Sequence, residues 1–505
     1  MTAATLFDGY DRTTLHPTVA HIGPGVFHRA HQAVYCDAVL RTGSRNGAVW
    51  GIALRSSAVR DALEAKSFVY EVVEVTSGQG GTEDVTALVQ PVGALLGINV
   101  VSQDVEAALT RLVDDAITVV TITVTENGYC AANPGGPLDT ILPDIVHDLV
   151  TPMTPRSLPG LLLEALVRRR AAGTAPFTIV SCDNLPQNGV ATARVVCELA
   201  ECRDPSLAAW VQGNVAFPSS MVDRMVPATS DADPAMLRRL GLVDGWPVVT
   251  EPFSQWVLED MFPTGRPEWE RVGVELVGDV ATHERAKLRI LNAAHSALAY
   301  WGLLAGHRFI WQAATDHVLL DATRDFLVNE VMPTLEPPPG WNLDAYTEQV
   351  LSRFANRALP YTTKKVACDG SQKLAVRVVP TVRDRLADGM PAPRSAQLLA
   401  AWIASVAGPR AAVLAVDDSA LASGPAGALT RSAHNGTVSG EHAAAALLAL
   451  PGFFDTSDPT EHAFADEVAR QARLLWRTDV RLLLGASLDG SDGRHAPSTS
   501  LREWN

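Results

Sequence analysis

The sequence has few of the features that mark secreted, membrane-spanning or metal-binding proteins. Its six cysteines are scattered and form no CxxC pair, so neither a thiolate zinc site nor a disulfide framework is expected. No apolar run approaches the length that spans a bilayer. Residues 1–15 lack a basic segment followed by an apolar one, which is the pattern of a secretory signal. These absences predict a protein of the reducing cytoplasm.

Basic residues are also few compared with acidic ones. The 41 lysines and arginines are outnumbered by 56 aspartates and glutamates, which gives a formal net charge of −15. Nucleic acids and anionic membranes bind basic patches, so neither is an expected partner, whereas a small-molecule substrate is compatible with an acidic surface. With 47% hydrophobic residues over 505 positions, the composition is typical of a globular enzyme of two domains. The oligomeric state is left open between a monomer and a small homo-oligomer.

The hydrophobic pattern changes between the two halves of the chain. Before about residue 280, short runs rich in Val, Ile and Thr alternate with helical stretches, which is typical of βαβ units and a largely parallel, doubly wound sheet. These runs are TVAHIG, AVWGIALR, FVYEVVEV, AITVVTITVT, PFTIVSCD and WPVVTEP. From about Glu284 onward helical spacing dominates. We therefore predict an α/β fold in which residues 1–280 form a Rossmann-like dinucleotide-binding domain and residues 281–505 form a mainly α-helical substrate domain.

A glycine turn follows the first strand-like run. In TVAHIGPGVFHRAHQA, Gly23 and Gly25 precede a helix expected from about Phe27. Free N–H groups at the start of a helix favour an anion, so the pyrophosphate of a dinucleotide would bind here. His28 stands where the GxGxxG motif has its third glycine, and such a turn by itself is more often a simple connection. Because this turn follows the first strand of the predicted α/β domain, cofactor binding is favoured over a simple connection. Gly23, Gly25, Val26 and Phe27 are the candidate residues.

The second strand-like run ends at Arg55, Ser56, Ser57 and Ala58. NAD-dependent enzymes usually have an acidic residue at this position, where it binds the adenosine ribose. No acid stands there in this sequence, and the nearest one, Asp61, is expected one turn into the next helix. Arg55 and Ser57 are therefore the candidate contacts, and discrimination between NAD and NADP is expected to be weak.

The segment HERAKLRILNAAHSALAY contains three polar residues with helical spacing. At 3.6 residues per turn, Lys287, His295 and Asn292 project at about 0°, 80° and 140°, on one broad face of a helix. A lysine and a histidine among so many apolar neighbours are costly to bury unless they are used. Spacing alone nevertheless favours an ordinary interpretation, with a solvated lysine, a buried histidine and a surface asparagine.

The same segment resembles the mannitol dehydrogenase family, the polyol-specific long-chain dehydrogenases. That family has a K-x-x-x-x-N-x-x-H helix, which Lys287, Asn292 and His295 match. Other stretches that match are HIGPGVFHRAHQA, TVTENGYC, SCDNLPQNG and FPSSMVDRMVPAT, followed by EPFSQWVLED. The resemblance extends from about Val19 to Arg385, and several motifs in the same order are far more specific than any one of them.

The resemblance implies a metal-independent oxidation of a secondary alcohol, with NAD as the main cofactor and NADP as the alternative. Lys287 would be the general base, with its pKa lowered by burial. Asn184 and Asn292 would donate hydrogen bonds to the alkoxide-like oxygen, in place of a zinc ion. His295 would orient the substrate oxygen. The active site is expected in the cleft between the two domains.

Four further residues take supporting roles under the same resemblance. Glu126, beside the cofactor, and Glu284, beside the substrate, would relay protons to or from the lysine. Asp223 would bind a substrate hydroxyl or support the site. For these three acids, an ordinary cap or surface role is an alternative. Lys365 would border the mouth of the site and bind the substrate, where mannitol 2-dehydrogenases have an arginine.

The departures from the family pattern leave the substrate open. Lys365 and the absence of an acid at Ser57 and Ala58 place the sequence between the mannitol 2-dehydrogenase branch and the fructuronate reductase (mannonate dehydrogenase) branch. The leading hypothesis is interconversion of a polyol such as D-mannitol with its 2-ketose, D-fructose, and the alternative is reduction of a keto-uronate. An inactive nucleotide-binding regulator is a hypothesis of another class. A metallohydrolase is excluded because no metal-ligand cluster stands outside the histidines around the glycine turn.

Overall fold

The computed structural model describes residues 7–77, 85–228, 234–242, 246–422, 424–436 and 438–485. The chain divides into two compact units. The N-terminal unit comprises Met1–Ala286, Glu336–Gly340 and Asn356–Pro360. The C-terminal unit comprises Lys287–Leu335, Trp341–Ala355 and Tyr361–Asn505. No helix among the described residues is both long and apolar enough to cross a membrane.

The N-terminal unit contains all the described strands together with the helices that cover them. The strands are β1 (Val19–Ile22), β2 (Val49–Ala53), β3 (Tyr70–Ser77), β4 (Val85–Val92), β5 (Leu95–Val100), β6 (Val119–Ile122), β7 (Thr178–Ser181), β8 (Ser220–Asp223), β9 (Val248–Thr250), β10 (Gln255–Glu259) and β11 (Glu275–Val277). The helices are α1 (Val26–Ala30), α2 (Gln32–Arg41), α3 (Ala58–Glu64), α4 (Val105–Val113), α5 (Pro143–Val150), α6 (Leu158–Ala172), α7 (Asn188–Arg203), α8 (Pro205–Asn214), α9 (Pro234–Arg239) and α10 (Ala281–Ala286). Short 3-10 helices occupy Arg12–Thr14, Glu126–Tyr129 and Trp269–Val272.

The central sheet has the order β5-β2-β1-β6-β7, with every pair parallel. All four residues of β1, β6 and β7 are buried, as expected for parallel strands covered on both faces. One face packs on α4, α6, α7 and α8, and the other packs on α2 and the remaining strands. The predicted Rossmann-like sheet is confirmed.

Two of the predicted strands lie outside this central sheet. The run FVYEVVEV forms β3, which pairs antiparallel with β4 and parallel with β9, and β9 comes from WPVVTEP. Only residues 78–84 connect β3 to β4, and a parallel crossover needs a dozen residues or more, so this pair has to be antiparallel. A third sheet has the order β11-β10-β8. The sequence analysis also missed β5, which forms one edge of the central sheet.

The C-terminal unit is mainly helical, as predicted. Its α-helices are α11 (Ala293–Leu304), α12 (Ile310–Thr315), α13 (His317–Asp325), α14 (Leu343–Phe354), α15 (Thr363–Ala367), α16 (Gly370–Arg377), α17 (Val379–Ala387), α18 (Pro393–Ala407), α19 (Ala411–Leu414), α20 (Gly424–His434), α21 (Gly440–Leu448), α22 (Pro459–Leu475) and α23 (Val480–Gly485). Two π-helical segments cover Lys287–Asn292 and Phe326–Val331, and 3-10 helices cover Met332–Thr334 and Ser419–Leu421.

The core of the C-terminal unit forms around α11 and α18. These two helices pack against each other, and α18 also packs on α22. Both are rich in alanine and are apolar on nearly every face, which is typical of helices surrounded by others. Every residue of α11 is buried except His295. His295 is therefore the one partly exposed residue of this helix.

Candidate active site

The loops after four parallel strands meet at one edge of the central sheet. The strand order reverses between β1 and β6, and ligands of such sheets bind outside the carboxyl ends of the strands at this switch point. The loops begin at Gly23 after β1, Leu54 after β2, Thr123 after β6 and Cys182 after β7. This edge gathers the predicted residues Gly23, Gly25, Val26, Phe27, Arg55, Ser57, Glu126 and Asn184.

The turn after β1 requires glycine at its first position. Gly23 has φ +91°, and a Cβ there would overlap the carbonyl oxygen of Thr123. Its N–H donates to the Ile52 carbonyl oxygen at 2.9 Å, and its own carbonyl accepts from the Gly25 N–H at 2.6 Å. A Cβ at Gly25 would meet only the Gly23 oxygen, 3.8 Å away, among the described residues. The backbone thus leaves open space beside the first N–H groups of α1, which begins at Val26.

The histidine in place of the third glycine points into the protein interior. His28, on α1, stacks on His21 of β1 with ring centroids 3.4 Å apart and planes 14° apart. Burial lowers the pKa of His28 well below its usual value and lowers that of His21 to about 3, so both rings are neutral. In a GxGxxG turn the third glycine allows close packing of helix on strand. Here a pair of flat neutral rings fills the space between α1 and β1.

The polar side chains of Arg55 and Ser57, in the loop after β2, are both paired. The Arg55 side chain is 83% exposed and pairs with Asp144 at 2.9 Å. The Ser57 hydroxyl donates to Asp61 Oδ2 at 2.6 Å, and Arg60 pairs with the same carboxylate at 2.7 Å. Asp61 lies in the first turn of α3, as predicted. A carboxylate therefore does stand beside Ser57, although no acid occupies the usual position.

The three predicted acids and Asn184 lie in different environments. Glu126 is exposed at the start of its 3-10 helix, and Asn184 is exposed in the loop after β7. Both carboxylate oxygens of Glu284, on α10, accept from the Gln187 N–H at 3.2 Å, which ties Glu284 to the loop that contains Asn184. Asp223 is buried at the end of β8, in another sheet.

Asp183, beside the predicted Asn184, was not identified in the sequence analysis. Its Oδ2 accepts from the Tyr129 hydroxyl at 2.6 Å and from the Val124 N–H at 3.0 Å, and so joins the loops after β6 and β7. Burial, with a smaller effect of the Glu126 charge, raises its pKa to about 7. A carboxyl with a strongly perturbed pKa in a ligand-binding crevice is a candidate functional residue. Its burial depends on contact between the loops after β6 and β7, so no local pattern in the sequence identifies it.

In the C-terminal unit, the helix that contains the motif is not a regular α-helix at its start. Lys287–Asn292 is π-helical, and α11 follows directly. A π-helix makes i→i+5 hydrogen bonds and has more residues per turn than an α-helix, so Asn292 projects closer to Lys287 than the roughly 140° that α-helical spacing gives. The expected α-helical projection was therefore wrong for this pair. Such π segments occur often at functional sites, and Lys287 itself is only 7% exposed.

His295 lies one α-helical turn beyond the π segment, in an aromatic and cationic environment. Its ring stacks on Phe354 at 4.8 Å and meets Tyr361 edge-on at 6.1 Å. Nε2 is buried and has no hydrogen-bond partner among the described residues. Burial lowers the pKa of His295 to about 3, and the charges of three basic residues lower it further, those of Arg377, Lys373 and Arg353. The ring is neutral and retains hydrogen-bonding capacity for a ligand.

Two of these basic residues lie on α16, which packs on the π segment. Arg377 Nη1 donates to the Asn292 carbonyl oxygen at 3.3 Å and to the Ser296 hydroxyl at 3.1 Å, and burial lowers its pKa to about 10. Lys373 Nζ donates to the Cys368 carbonyl oxygen at 2.6 Å, and burial lowers its pKa as well. Arg377 was not identified from the sequence. The i,i+4 spacing of Lys373 and Arg377 was the available signal.

Lys365 lies on the short helix α15, next to Lys364. Both lysines are exposed as residues, and the N–H of Lys365 donates to the Thr362 hydroxyl at 3.2 Å. Helix α15 packs on α11, the helix that contains His295. Across the residues that the structure describes, no group of three or more His, Cys, Asp or Glu side chains could hold a metal ion.

Comparison with known proteins gives matches along most of the chain. Residues 17–271 match the model of the mannitol dehydrogenase Rossmann domain, and residues 279–476 match that of the mannitol dehydrogenase C-terminal domain. Mannitol 2-dehydrogenase of Cereibacter sphaeroides is 40% identical over 79% of this chain and 83% of its own length. D-mannonate oxidoreductase of Escherichia coli is 38% identical over 75% of this chain and 78% of its own. Pseudomonas fluorescens mannitol 2-dehydrogenase, solved as a ternary complex with NAD and D-mannitol, superposes with a TM-score of 0.80 and 34% identity, covering 94% of this chain and 95% of that one.

Proposed function

The chain belongs to the mannitol dehydrogenase family and is therefore an oxidoreductase, and we propose that it interconverts a secondary alcohol of a polyol such as D-mannitol with its 2-ketose, D-fructose. The observation that supports this most directly is the π segment, which begins at Lys287 and ends at Asn292. His295, the partly exposed residue of α11, follows about one α-helical turn later. A base, an amide donor and a neutral imidazole on one helical segment are the groups that an alcohol oxidation without a metal requires.

We propose NAD as the main cofactor and the carboxyl edge of the central sheet as its site. The backbone there fits a dinucleotide, because Gly23 allows close approach and the space beside Gly25 is open at the start of α1. Val26 and Phe27 N–H groups would bind the pyrophosphate, Ser57 and Arg55 the adenosine end, and Glu126 would lie beside the cofactor. When bound, the nicotinamide would accept the hydride from the substrate carbon. NADP is the alternative, since the acid near Ser57, Asp61, already pairs with Arg60.

In the proposed mechanism the lysine accepts the proton, and the amides stabilise the negative charge that develops on the substrate oxygen. Lys287 is buried, and burial disfavours the charged ammonium form of an amine, so that the neutral base becomes accessible. It would take the proton of the substrate hydroxyl. Asn292 and Asn184 would donate hydrogen bonds to the alkoxide-like oxygen, and His295 would orient it. Glu284 and Glu126 would relay the proton, and Asp223 and Lys365 would bind other parts of the substrate.

A specific observation favours the second candidate substrate class, a sugar acid. Arg377, Lys373 and Arg353 all place positive charge near His295. A carboxylate gains roughly 1.5–3 kcal/mol from a charge-assisted hydrogen bond, whereas a polyol gains less. This observation supports fructuronate reductase (mannonate dehydrogenase) activity as the alternative.

The proposal is tested by following absorbance at the reduced-nicotinamide band with polyols, ketoses and uronates, each with NAD and NADP. We expect the highest kcat/KM with mannitol and fructose and with the NAD form. Faster turnover of mannonate and fructuronate would replace the polyol assignment with the sugar-acid one. Dinucleotide binding without turnover on any substrate would support an inactive regulator instead.

The remaining assignments stay predictions. These are dinucleotide binding by residues 1–280 and substrate binding by residues 281–505, a cytoplasmic location, and a monomer or small homo-oligomer.

A further inference from the structure

A chain of buried and partly buried hydrogen bonds lies directly behind the glycine turn. His21 Nδ1 is 2.7 Å from the Thr121 hydroxyl, and His21 Nε2 is 2.9 Å from the Thr123 hydroxyl and 3.1 Å from the Gly23 carbonyl oxygen. The Thr123 hydroxyl also contacts the Gly23 oxygen, at 2.8 Å. The chain therefore runs from the interior of β6 through β1 to the turn, and it connects the two strands on either side of the switch point.

The partners fix where the protons lie. A carbonyl oxygen can only accept, so the Thr123 hydroxyl donates to Gly23 and its oxygen is available to accept from His21 Nε2–H. His21 Nδ1 then accepts from the Thr121 hydroxyl. His21 is 0% exposed, and the neutral ring of His28 covers one of its faces, so a charged imidazolium would be strongly disfavoured. A single neutral tautomer, with hydrogen on Nε2, satisfies the whole chain.

This chain holds the Gly23 carbonyl oxygen on the inner side of the turn. That oxygen accepts from the Thr123 hydroxyl, from His21 Nε2–H and from the Gly25 N–H. The next residue, Pro24, has no N–H, so a rotated Gly23–Pro24 peptide would present only its carbonyl oxygen to the open side. An outward carbonyl dipole repels an anion, whereas an inward one leaves the N–H groups of α1 to face it.

We propose that His21 is a positioning residue for the dinucleotide. Held by the Thr121 hydroxyl, it acts together with Thr123 to hold the Gly23 carbonyl inward and so keep the turn in its anion-binding shape. The inference rests on the proposed function, because it assumes that the turn receives the cofactor pyrophosphate. His21 itself is buried and does not contact the ligand.

The test uses Thr123→Val, which removes one hydroxyl with little change of shape, and His21→Asn, which keeps an atom near the Nδ1 position but loses the Nε2 donor. The matched control is Thr178→Val on β7, a threonine that is 1% exposed and whose hydroxyl has no partner among the described residues. Dissociation constants of NAD and NADP are measured by titration calorimetry on each full-length protein, together with the thermal midpoint, kcat and both KM values.

We expect Thr123→Val and His21→Asn each to weaken dinucleotide binding about tenfold, which corresponds to about 1.4 kcal/mol. The KM for the dinucleotide should rise by much more than kcat falls, and Thr178→Val should bind the dinucleotide within about twofold of the wild type. A lower thermal midpoint with unchanged dinucleotide binding would show a merely structural role and overturn the inference. A fall in kcat without a change in binding would also overturn it. If His21→Asn does not fold, Thr123→Val decides the matter. If the wild type binds neither dinucleotide, the proposed function fails first and the inference falls with it.

Discussion

The two units assemble their candidate residues in different ways. In the N-terminal unit the residues come from loops spread between Gly23 and Asn184, and they meet because parallel strands place their carboxyl ends at one edge. In the C-terminal unit the principal residues lie between Lys287 and His295 on one helical segment, and a local change to π geometry aligns two of them. Under the proposed function, many separate backbone contacts would share the cofactor role, whereas Lys287 would be the sole base. Single substitutions should therefore have graded effects in the first unit and severe effects in the second.

The largest effect is expected at Lys287. Lys287→Met keeps most of the apolar stem that packs in the buried position but removes the amine, and we expect kcat to fall about 10²- to 10⁴-fold because the general base is lost. Dinucleotide binding, which we assign to the N-terminal unit, should stay within about twofold of the wild type. Steady-state kinetics and calorimetry measure the two quantities separately.

Two controls sharpen this prediction. Added primary amines such as methylamine should partly restore turnover in Lys287→Ala, where they have room to bind. A metal chelator should leave wild-type activity unchanged, and a loss that zinc restores would show that the lysine is not the only source of activation. Wild-type turnover in Lys287→Met would remove the supposed difference between the units.

The next largest effect concerns Lys365. Lys365→Met should lower kcat/KM for D-mannonate roughly 10- to 150-fold, since a charge-assisted bond to a carboxylate is worth about 1.5–3 kcal/mol. The loss on D-mannitol should be small. Lys364→Met is the matched control, because it removes the neighbouring exposed lysine of the same helix. Equal small losses on both substrates would favour the polyol, and no loss on either would place Lys365 outside the site.

A smaller effect is expected at the adenosine end of the proposed cofactor site. Ala58→Asp adds a carboxylate at the usual position, where it would bind the ribose hydroxyls of NAD and repel the 2′-phosphate of NADP. We expect about a tenfold loss of kcat/KM with NADP and little change with NAD. Ala65→Asp, at the exposed far end of α3, is the control. A strict preference for NAD in the wild type, unchanged in Ala58→Asp, would show that another residue determines it.

The smallest effect concerns Asp183 and appears as pH dependence of stability. Its folded-state pKa of about 7 lies above the usual value of 3.8, so its contribution to stability is complete below about pH 4 and is lost as the pH rises through about 7. Asp183→Asn cannot ionise and should escape this loss. We expect its thermal midpoint to gain a few degrees on the wild type between about pH 5 and about pH 8, which reflects about 1–2 kcal/mol.

The exposed surface aspartate in Asp115→Asn provides the comparison for this measurement. Parallel pH curves for the wild type and Asp183→Asn would show that the Asp183 carboxyl is ionised like an exposed one. The contact between the loops after β6 and β7 would then make no pH-dependent contribution to the stability of the N-terminal unit.

Local patterns in the sequence were sufficient for the class of the two domains and for four of the five strands of the central sheet. Strand-like runs alternating with helices predicted the central sheet, because burial on both faces selects continuous Val and Ile runs. The Gly-Pro-Gly turn was placed correctly because only glycine fits its first position, with φ +91° and the Thr123 carbonyl at close approach. The order of Lys287, Asn292 and His295 identified the helix of interest through its resemblance to one family.

The tertiary structure decided what depends on distant parts of the chain. The sequence pattern did not show which sheet a strand joins, and FVYEVVEV became β3 of another sheet. The π segment that contains Lys287 and Asn292 packs on α14, α16 and the other π segment, and helical spacing in the sequence does not show its geometry. The raised pKa of Asp183 arises from burial among loops far apart in sequence. Burial and distance are properties of the packed chain, whereas the sequence by itself determines periodicity and turn chemistry.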